Sequence, residues 1–296
     1  MKKLFFLFWS LISLSAFGQT EYHTTSADQT KLYVEELGNG EPVILLSGGP
    51  GFNPGYLKPV WQKLSSNFRS IILHQRGAGK FIISTVDSTS MSMENYVNDL
   101  EELRKHLKLE KVTLIGHSWG GMLAMEYVAN HPEKVEKLIL LGSGGPTANF
   151  GSYYFDNINM RLLPEDWNER AVLDSLNKST LGAIWPGYFF DRKMALKSKS
   201  NTDFEAMNGQ LGVAKFTVPN YFSNGSQRVN LIKRYKGIVH IIQGRQDPIG
   251  ESTVYEIKDI LPQSQINFIE KCGHLPWLEN EQQRIEFYDL LYSTLQ

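Results

Sequence analysis

A single cysteine, Cys272, stands among 296 residues, so no internal disulfide can form and stability must come from buried apolar groups. An excess of one charge is also missing. Thirty basic residues are matched by 31 acidic ones, interspersed along the chain, and without a basic face there is no footprint for nucleic acid. Histidines and carboxylates do not gather at metal-ligand spacing, since His23, His74, His106 and His117 are scattered among different elements. The glycine turn at residues 48–51 is not followed by a phosphate-loop lysine or serine in register. Neither a metal nor a cofactor is expected. There is no fixed-period repeat and no low-complexity tract. After residue 18 no apolar run approaches the roughly 20 residues that span a bilayer.

The one long apolar run is at the start. Lys2 and Lys3 precede an apolar stretch over residues 4–17, broken only by serines, and Ala16 and Gly18 are small residues at −3 and −1 before Gln19. A basic start, an apolar stretch and a small-x-small exit describe a secretory signal peptide. The expectation is cleavage after residue 18, with a periplasmic or extracellular location and no stable membrane insertion afterwards.

Beyond that segment, short apolar runs alternate with amphipathic ones. Strands are expected at Lys31–Leu37, 43–46, 70–74, 112–115, 138–141, 238–242 and Gln265–Ile269, most of them rich in Val, Ile and Leu on both faces. Helical patterns occupy 96–107, 120–130, 252–260 and Glu281–Leu295. Such alternation implies a mostly parallel sheet flanked by helices, the α/β class. The pattern breaks over residues 144–230, which gather aromatics and hold an amphipathic helix at 162–178 with Pro164 near its start. The domain reading is therefore a core at 19–143, an inserted helical lid at 144–230 and the rest of the core at 231–296.

Gly116-His117-Ser118-Trp119-Gly120 follows a strand and opens a helix. A sharp strand-to-helix turn exposes the serine hydroxyl, and the flanking glycines give the strained backbone room. Serine is a poor nucleophile near neutral pH and needs a base, which needs an orienting acid. On such an elbow the acid and then the base follow along the chain. Three histidines lie after Ser118: His131 ends a helix before proline, His240 is mid-strand, and His274 occupies a loop after the last expected strand. His274 is the candidate base. Asp247, on the loop leaving the strand at 238–242, is the candidate acid, and Asp259 falls within the next helix. Ser47-Gly48-Gly49-Pro50-Gly51 follows the strand at 43–46, so the Gly49 and Trp119 N–H groups are the candidate oxyanion donors. Cys272 reads as a small packing residue.

With these motifs assembled, the chain resembles the proline iminopeptidase-like branch of the α/β-hydrolases. The resemblance rests on residues 47–51, Gln75-Arg76-Gly77-Ala78-Gly79, residues 116–121, Gly244-Arg245-Gln246-Asp247 and Gly273-His274, and covers the chain outside the lid. It implies an α/β-hydrolase fold, the triad Ser118, Asp247 and His274, and aminopeptidase activity on a small-molecule or short-peptide substrate. Three positions depart from the family: Ser47 where it has His, His74 where it has Asp, and Val218 near the place of a lid glutamate that binds the substrate's amino group. Glu205 is the candidate substitute for that glutamate, with Tyr221 and Phe222 as apolar substrate-binding candidates. A carboxylesterase or a carbon–carbon bond hydrolase would use the same triad. A non-catalytic binding protein of this fold is the remaining alternative, and the complete Ser, Asp, His set argues against it.

Overall fold

The computed structural model describes residues 18–202 and 204–296, with Glu205 described by its backbone alone. The expected signal peptide lies, apart from Gly18, outside the described residues.

The sheet contains β1 (Thr20–Thr25), β2 (Lys31–Leu37), β3 (Pro42–Leu46), β4 (Arg69–Leu73), β5 (Val112–His117), β6 (Val135–Leu141), β7 (Ile238–Gly244) and β8 (Gln265–Ile269). Their order is β1-β2-β4-β3-β5-β6-β7-β8. From β4 to β8 every pairing is parallel, while β1 pairs antiparallel with β2 and β2 with β4.

Helices α1 (Lys58–Leu64), α2 (Met93–His106) and α3 (Trp119–Asn130) precede the long β6–β7 connection. That connection holds α4 (Gly151–Asn159), α5 (Pro164–Ser175), α6 (Leu181–Ile184), α7 (Arg192–Lys199), α8 (Phe204–Met207), α9 (Val213–Ser223) and α10 (Gly225–Ile232); α11 (Glu251–Ile260) and α12 (Glu281–Leu295) follow. Alternation along β3 shows why both faces are covered. Ile44 and Leu46 join the core containing Val97, Leu100 and Leu123 of α2 and α3. Val43 and Leu45 join the core containing Trp61 and Leu64 of α1 and Phe287 and Leu291 of α12.

Periodicity alone places neither β1 nor α1. The β1 sequence, Thr-Glu-Tyr-His-Thr-Thr, has no apolar run because it is an edge strand with one neighbour and largely exposed side chains. The expected helix over 162–178 is the shorter α5. It begins at Pro164, where proline's missing N–H costs nothing, and Asn177 just beyond its end has a left-handed φ of 52° that stops propagation. Asp166 anchors the start, accepting from Leu163 N–H at 2.8 Å and from Arg192 at 2.6 Å.

The segment between α8 and α9 is tied to two core loops. Asn53 N–H donates to Met207 C=O at 2.7 Å and Gln210 N–H to Gly77 C=O at 2.6 Å. The Gln210 amide bonds both backbone groups of Ile83, each at 2.8 Å. A Cβ on Gly209 would strike the carbonyls of Gly77 and Gly51, so only glycine lets the chain pass this closely. Val213, at the start of α9, sits against Gly51 and Gly77.

Candidate active site

Carboxyl ends of parallel strands are where an open α/β sheet presents its loops, and the candidate residues emerge there. Ser118 follows β5 with φ 55° and ψ −120°, a strained conformation for a non-glycine residue that costs on the order of 1–3 kcal/mol. It is held by Ser118 N–H donating to Leu141 C=O at 2.9 Å and by its own carbonyl accepting from Gly121 N–H at 3.0 Å. Ser118 is half-buried and its side chain borders a cavity.

Asp247 and His274 arrive from the loops after β7 and β8. Asp247 Oδ1 accepts from Ile249 N–H at 2.8 Å, and Oδ2 lies 2.8 Å from His274 Nδ1. A carboxylate only accepts, so His274 donates from Nδ1 and in the neutral ring keeps a lone pair on Nε2. Both residues are buried, His274 at the cavity wall. The peptide groups of His274 are also held: its N–H donates to Tyr188 C=O at 2.7 Å, and its C=O accepts from His117 Nε2 at 3.0 Å.

Gly142 was not singled out in the sequence. It follows β6 with φ 49°, and a Cβ there would sit 2.6 Å from Asp247 Oδ2 and 3.0 Å from His274 Nδ1. Only the missing side chain lets Asp247 and His274 approach this closely. The available signal is a glycine at the carboxyl end of a strand, beside the strand that leads to Asp247.

The Gly48–Gly49 loop passes over Ser118: a Cβ built at Gly48 would lie 3.1 Å from Ser118 Cβ. Gly49 borders the cavity. Trp119 opens α3, where a first-turn N–H has no intrahelical partner. Its indole is turned into the core and donates to Gln75 Oε1 at 2.8 Å, while Gln75 Nε2 donates to Ser47 C=O at 2.7 Å. Of the departures from the family pattern, Ser47 donates its hydroxyl to Phe52 C=O at 3.2 Å. His74 is buried away from the cavity, accepting from Lys80 N–H at 3.0 Å and donating to Glu35 at 2.8 Å.

The cavity measures about 270 Å³. Its walls are Phe52, Trp185, Met207, Ala214, Val218 and Leu275, with Tyr56, Tyr154 and Tyr188 supplying hydroxyls. Burial pushes the Tyr188 phenol up to about 12 and raises those of Tyr56 and Tyr154, so all three are neutral at pH 7. Tyr154 and Tyr188 hydrogen-bond to each other at 2.7 Å. Among the described residues no carboxylate or ammonium lines the chamber. Pro50, Phe52, Tyr188 and Ala214 also border a separate outer groove that includes Asp174, Asn177 and Lys178. A larger depression, about 650 Å³ among Glu41, Lys111 and Glu136, lies at the amino ends of β3, β5 and β6, and among the described residues no serine, cysteine or histidine lines it.

The lid candidates divide. Glu205 lies on α8, with its side chain outside the described residues. Tyr221 and Phe222 do not border the cavity, which corrects their expected role. The strip of α9 that reaches it is Ala214 and Val218. One turn on, Tyr221 is fully buried against Trp119, with the Arg228 guanidinium 3.5 Å from its ring centroid. Phe222 packs on Phe150. Tyr221 serves the seam between lid and core, and Phe222 packs against another lid residue.

Residues 41–281 match the family model of the α/β hydrolase fold, and the chain belongs to that family. Within it the chain is similar to proline iminopeptidases. It is 39% identical over 109 residues to that of Lactobacillus helveticus, a match spanning 36% of this chain and only 37% of the relative. To the enzyme of Heyndrickxia coagulans it is 26% identical over 264 residues, covering 84% of this chain and 89% of the relative. The proline iminopeptidase-related protein from Thermus thermophilus superposes with a TM-score of 0.73 at 20% identity, over 94% of this chain and 98% of that one.

Proposed function

We propose that this hydrolase works by acyl transfer from a small substrate through Ser118. The observation that carries the reading is the Asp247–His274 hydrogen bond at 2.8 Å, placed in the wall of the chamber that Ser118 also borders. In this mechanism His274 Nε2 takes the Ser118 proton as the oxygen attacks the carbonyl. The Gly49 and Trp119 N–H groups receive the charge developing on the carbonyl oxygen, and His274 returns the proton to the leaving group. Water then attacks the acyl-enzyme by the same route. Asp247 holds the tautomer and stabilises the imidazolium.

The wall supports a neutral, apolar acyl group, because an ammonium buried without a partner costs several kcal/mol. An uncharged ester fits that wall. The second reading is an aminopeptidase, supported by the names of the relatives above. It requires a carboxylate at the amine, and Glu205, on α8 two residues before the wall residue Met207, is the candidate. Export after cleavage behind Gly18 belongs to the same proposal, and the intact mass of protein secreted by a suitable host tests it: a mass including residues 1–18 refutes it.

The test is a panel of p-nitrophenyl esters of short acids against prolyl and alanyl p-nitroanilides, with Ser118→Ala beside the parent. Loss of turnover in Ser118→Ala by about 10⁴-fold or more supports the serine mechanism, and retained turnover refutes it. Preference for esters, with N-acetylation of the anilides immaterial, supports the ester reading. Dependence on a free amine and on Glu205 supports the aminopeptidase.

A further inference from the structure

We propose that Tyr56 and His117 are positioning residues, a two-membered hydrogen-bonded chain that holds the Gly48–Gly49 loop and the main chain of His274 in register across Ser118. The proposal rests on the serine-hydrolase reading above and names groups that do not themselves touch the reacting bond.

Three contacts form the chain. Gly48 N–H donates to Tyr56 Oη at 2.5 Å. Tyr56 Oη lies 2.8 Å from His117 Nδ1. His117 Nε2 lies 3.0 Å from His274 C=O. Proton accounting fixes every direction. A carbonyl can only accept, so His117 carries its proton on Nε2. Burial, reinforced by the neighbouring His274, holds His117 well below the usual histidine range, so the ring is neutral and Nδ1 has a lone pair. The Tyr56 O–H therefore donates to Nδ1, and its oxygen accepts from Gly48. No donor along the line is spare, and the one lone pair of the His117 ring is taken.

Two consequences follow from that saturation. Tyr56 borders the cavity but its only proton is committed, so it is not a third oxyanion donor. His117, next to the nucleophile, has its lone pair occupied and is not a rival base. What the chain does is mechanical. It engages Gly48 N–H, leaving Gly49 as the amide of that loop free for substrate. It also pins the carbonyl of His274, whose N–H is already held by Tyr188, so both peptide groups around the His274 Cα are restrained. Trp277 closes the box: its ring stacks on Tyr56 and meets His117 edge-on, and its indole N–H donates to Tyr56 C=O at 3.2 Å. Reacting groups displaced by an ångström lose about 100-fold in rate, which is the scale such a restraint protects.

The experiment compares the parent, Tyr56→Phe, His117→Asn and the double variant in steady-state hydrolysis of the best ester or anilide of the panel, with thermal unfolding of each. Ser118→Ala runs alongside. Phenylalanine removes the link at its centre. Asparagine keeps an acceptor near the Nδ1 position and releases the His274 carbonyl. The expected result is a kcat lowered about 10- to 100-fold in each single variant, with KM changed less than threefold and a double variant no slower than the slower single one. A single variant that folds and turns over at the parental rate overturns the proposal, as do losses that multiply in the double variant. If Tyr56→Phe does not fold, His117→Asn decides alone. If neither shows a cooperative transition, the pair holds the fold and the positioning role is wrong. Failure of the underlying reading shows separately, as parental turnover in Ser118→Ala.

Discussion

The carboxylate of Glu279 accepts a hydrogen bond from Gly273 N–H at 2.8 Å, one residue before His274. The same carboxylate accepts from Phe190 N–H at 2.8 Å and Asp191 N–H at 3.3 Å in the lid. One fully buried side chain thus joins the loop of His274 to the lid turn that carries Tyr188.

Removing that carboxylate strands three backbone donors. Glu279→Ala is expected to destabilise the protein by about 3 kcal/mol, given about 1–3 kcal/mol for a buried unsatisfied group and partial rescue by water, and to lower kcat. Thermal unfolding and ester turnover check this. A variant with parental Tm and kcat refutes it.

Burial raises the Glu279 pKa above its ordinary value of 4.5, against the pull of its three backbone donors. A carboxyl whose folded pKa is raised binds its proton more tightly in the native state. Its contribution is therefore full below about pH 4.5 and declines as pH rises through the folded value. Relative to Glu279→Gln, which does not titrate, the parent should lose stability between pH 4 and neutrality. Denaturant midpoints at pH 4, 5.5 and 7 test the sign, and a gap that moves the other way contradicts it.

Gly142→Ala places a methyl against Asp247 Oδ2 and His274 Nδ1 and holds alanine at positive φ. The backbone penalty is about 1–2 kcal/mol, while separation of the acid–base pair should lower kcat about 100-fold or more. Turnover within threefold of the parent would show that the cavity wall yields.

Acid stability should depend on Glu101. Arg104 and, secondarily, Tyr127 bond its carboxylate, lowering its pKa to about 2. A depressed carboxyl contributes above about pH 4.5 and loses that contribution as pH falls towards 2. Glu101→Gln should be less stable than the parent by about 1–2 kcal/mol at pH 6, after allowance for solvent screening, with the gap closing near pH 2.5. An undiminished gap at pH 2.5 is the contrary result.

Val218 offers a test of specificity by addition. Val218→Glu puts a carboxylate at the wall that α9 presents to the chamber. Cleavage of free-amine aminoacyl anilides should rise relative to apolar esters, by tenfold or more in the kcat/KM ratio if the charges pair at about 1.4 kcal/mol. An unchanged ratio means that the amine does not reach this wall.

The parts legible in the sequence were those with local signatures. Parallel strands such as β3 and β5 are short, largely apolar runs, and the elbow at Ser118 is a contiguous motif. His274 is the candidate left by elimination among three histidines, Asp247 the candidate from its place on a loop after a strand, and the two side chains meet at 2.8 Å. Groups whose roles depend on distant contacts were not legible. Tyr56 meets His117 across 61 positions, Glu279 reaches the lid across 89, and Gly142 matters for a side chain it does not have. Tyr221 and Phe222 carry the opposite lesson. Aromatics in an insertion read as a substrate lining, while the structure packs Tyr221 between Trp119 and Arg228 and Phe222 on Phe150.

The close seating of residues 207–213 has a bearing on traffic. Lifting that stretch would break the Asn53–Met207 and Gln210–Gly77 bonds and both amide bonds to Ile83, each contributing about 0.5–1.5 kcal/mol, and would wet Val213. On this side the roof is a lintel and not a hinged door. The wall that Met207 and Ala214 give the chamber beside Ser118 is therefore set before a substrate arrives. Fit is then governed by cross-section, so a branched or cyclic group competes with a linear one for a chamber whose shape does not follow its occupant.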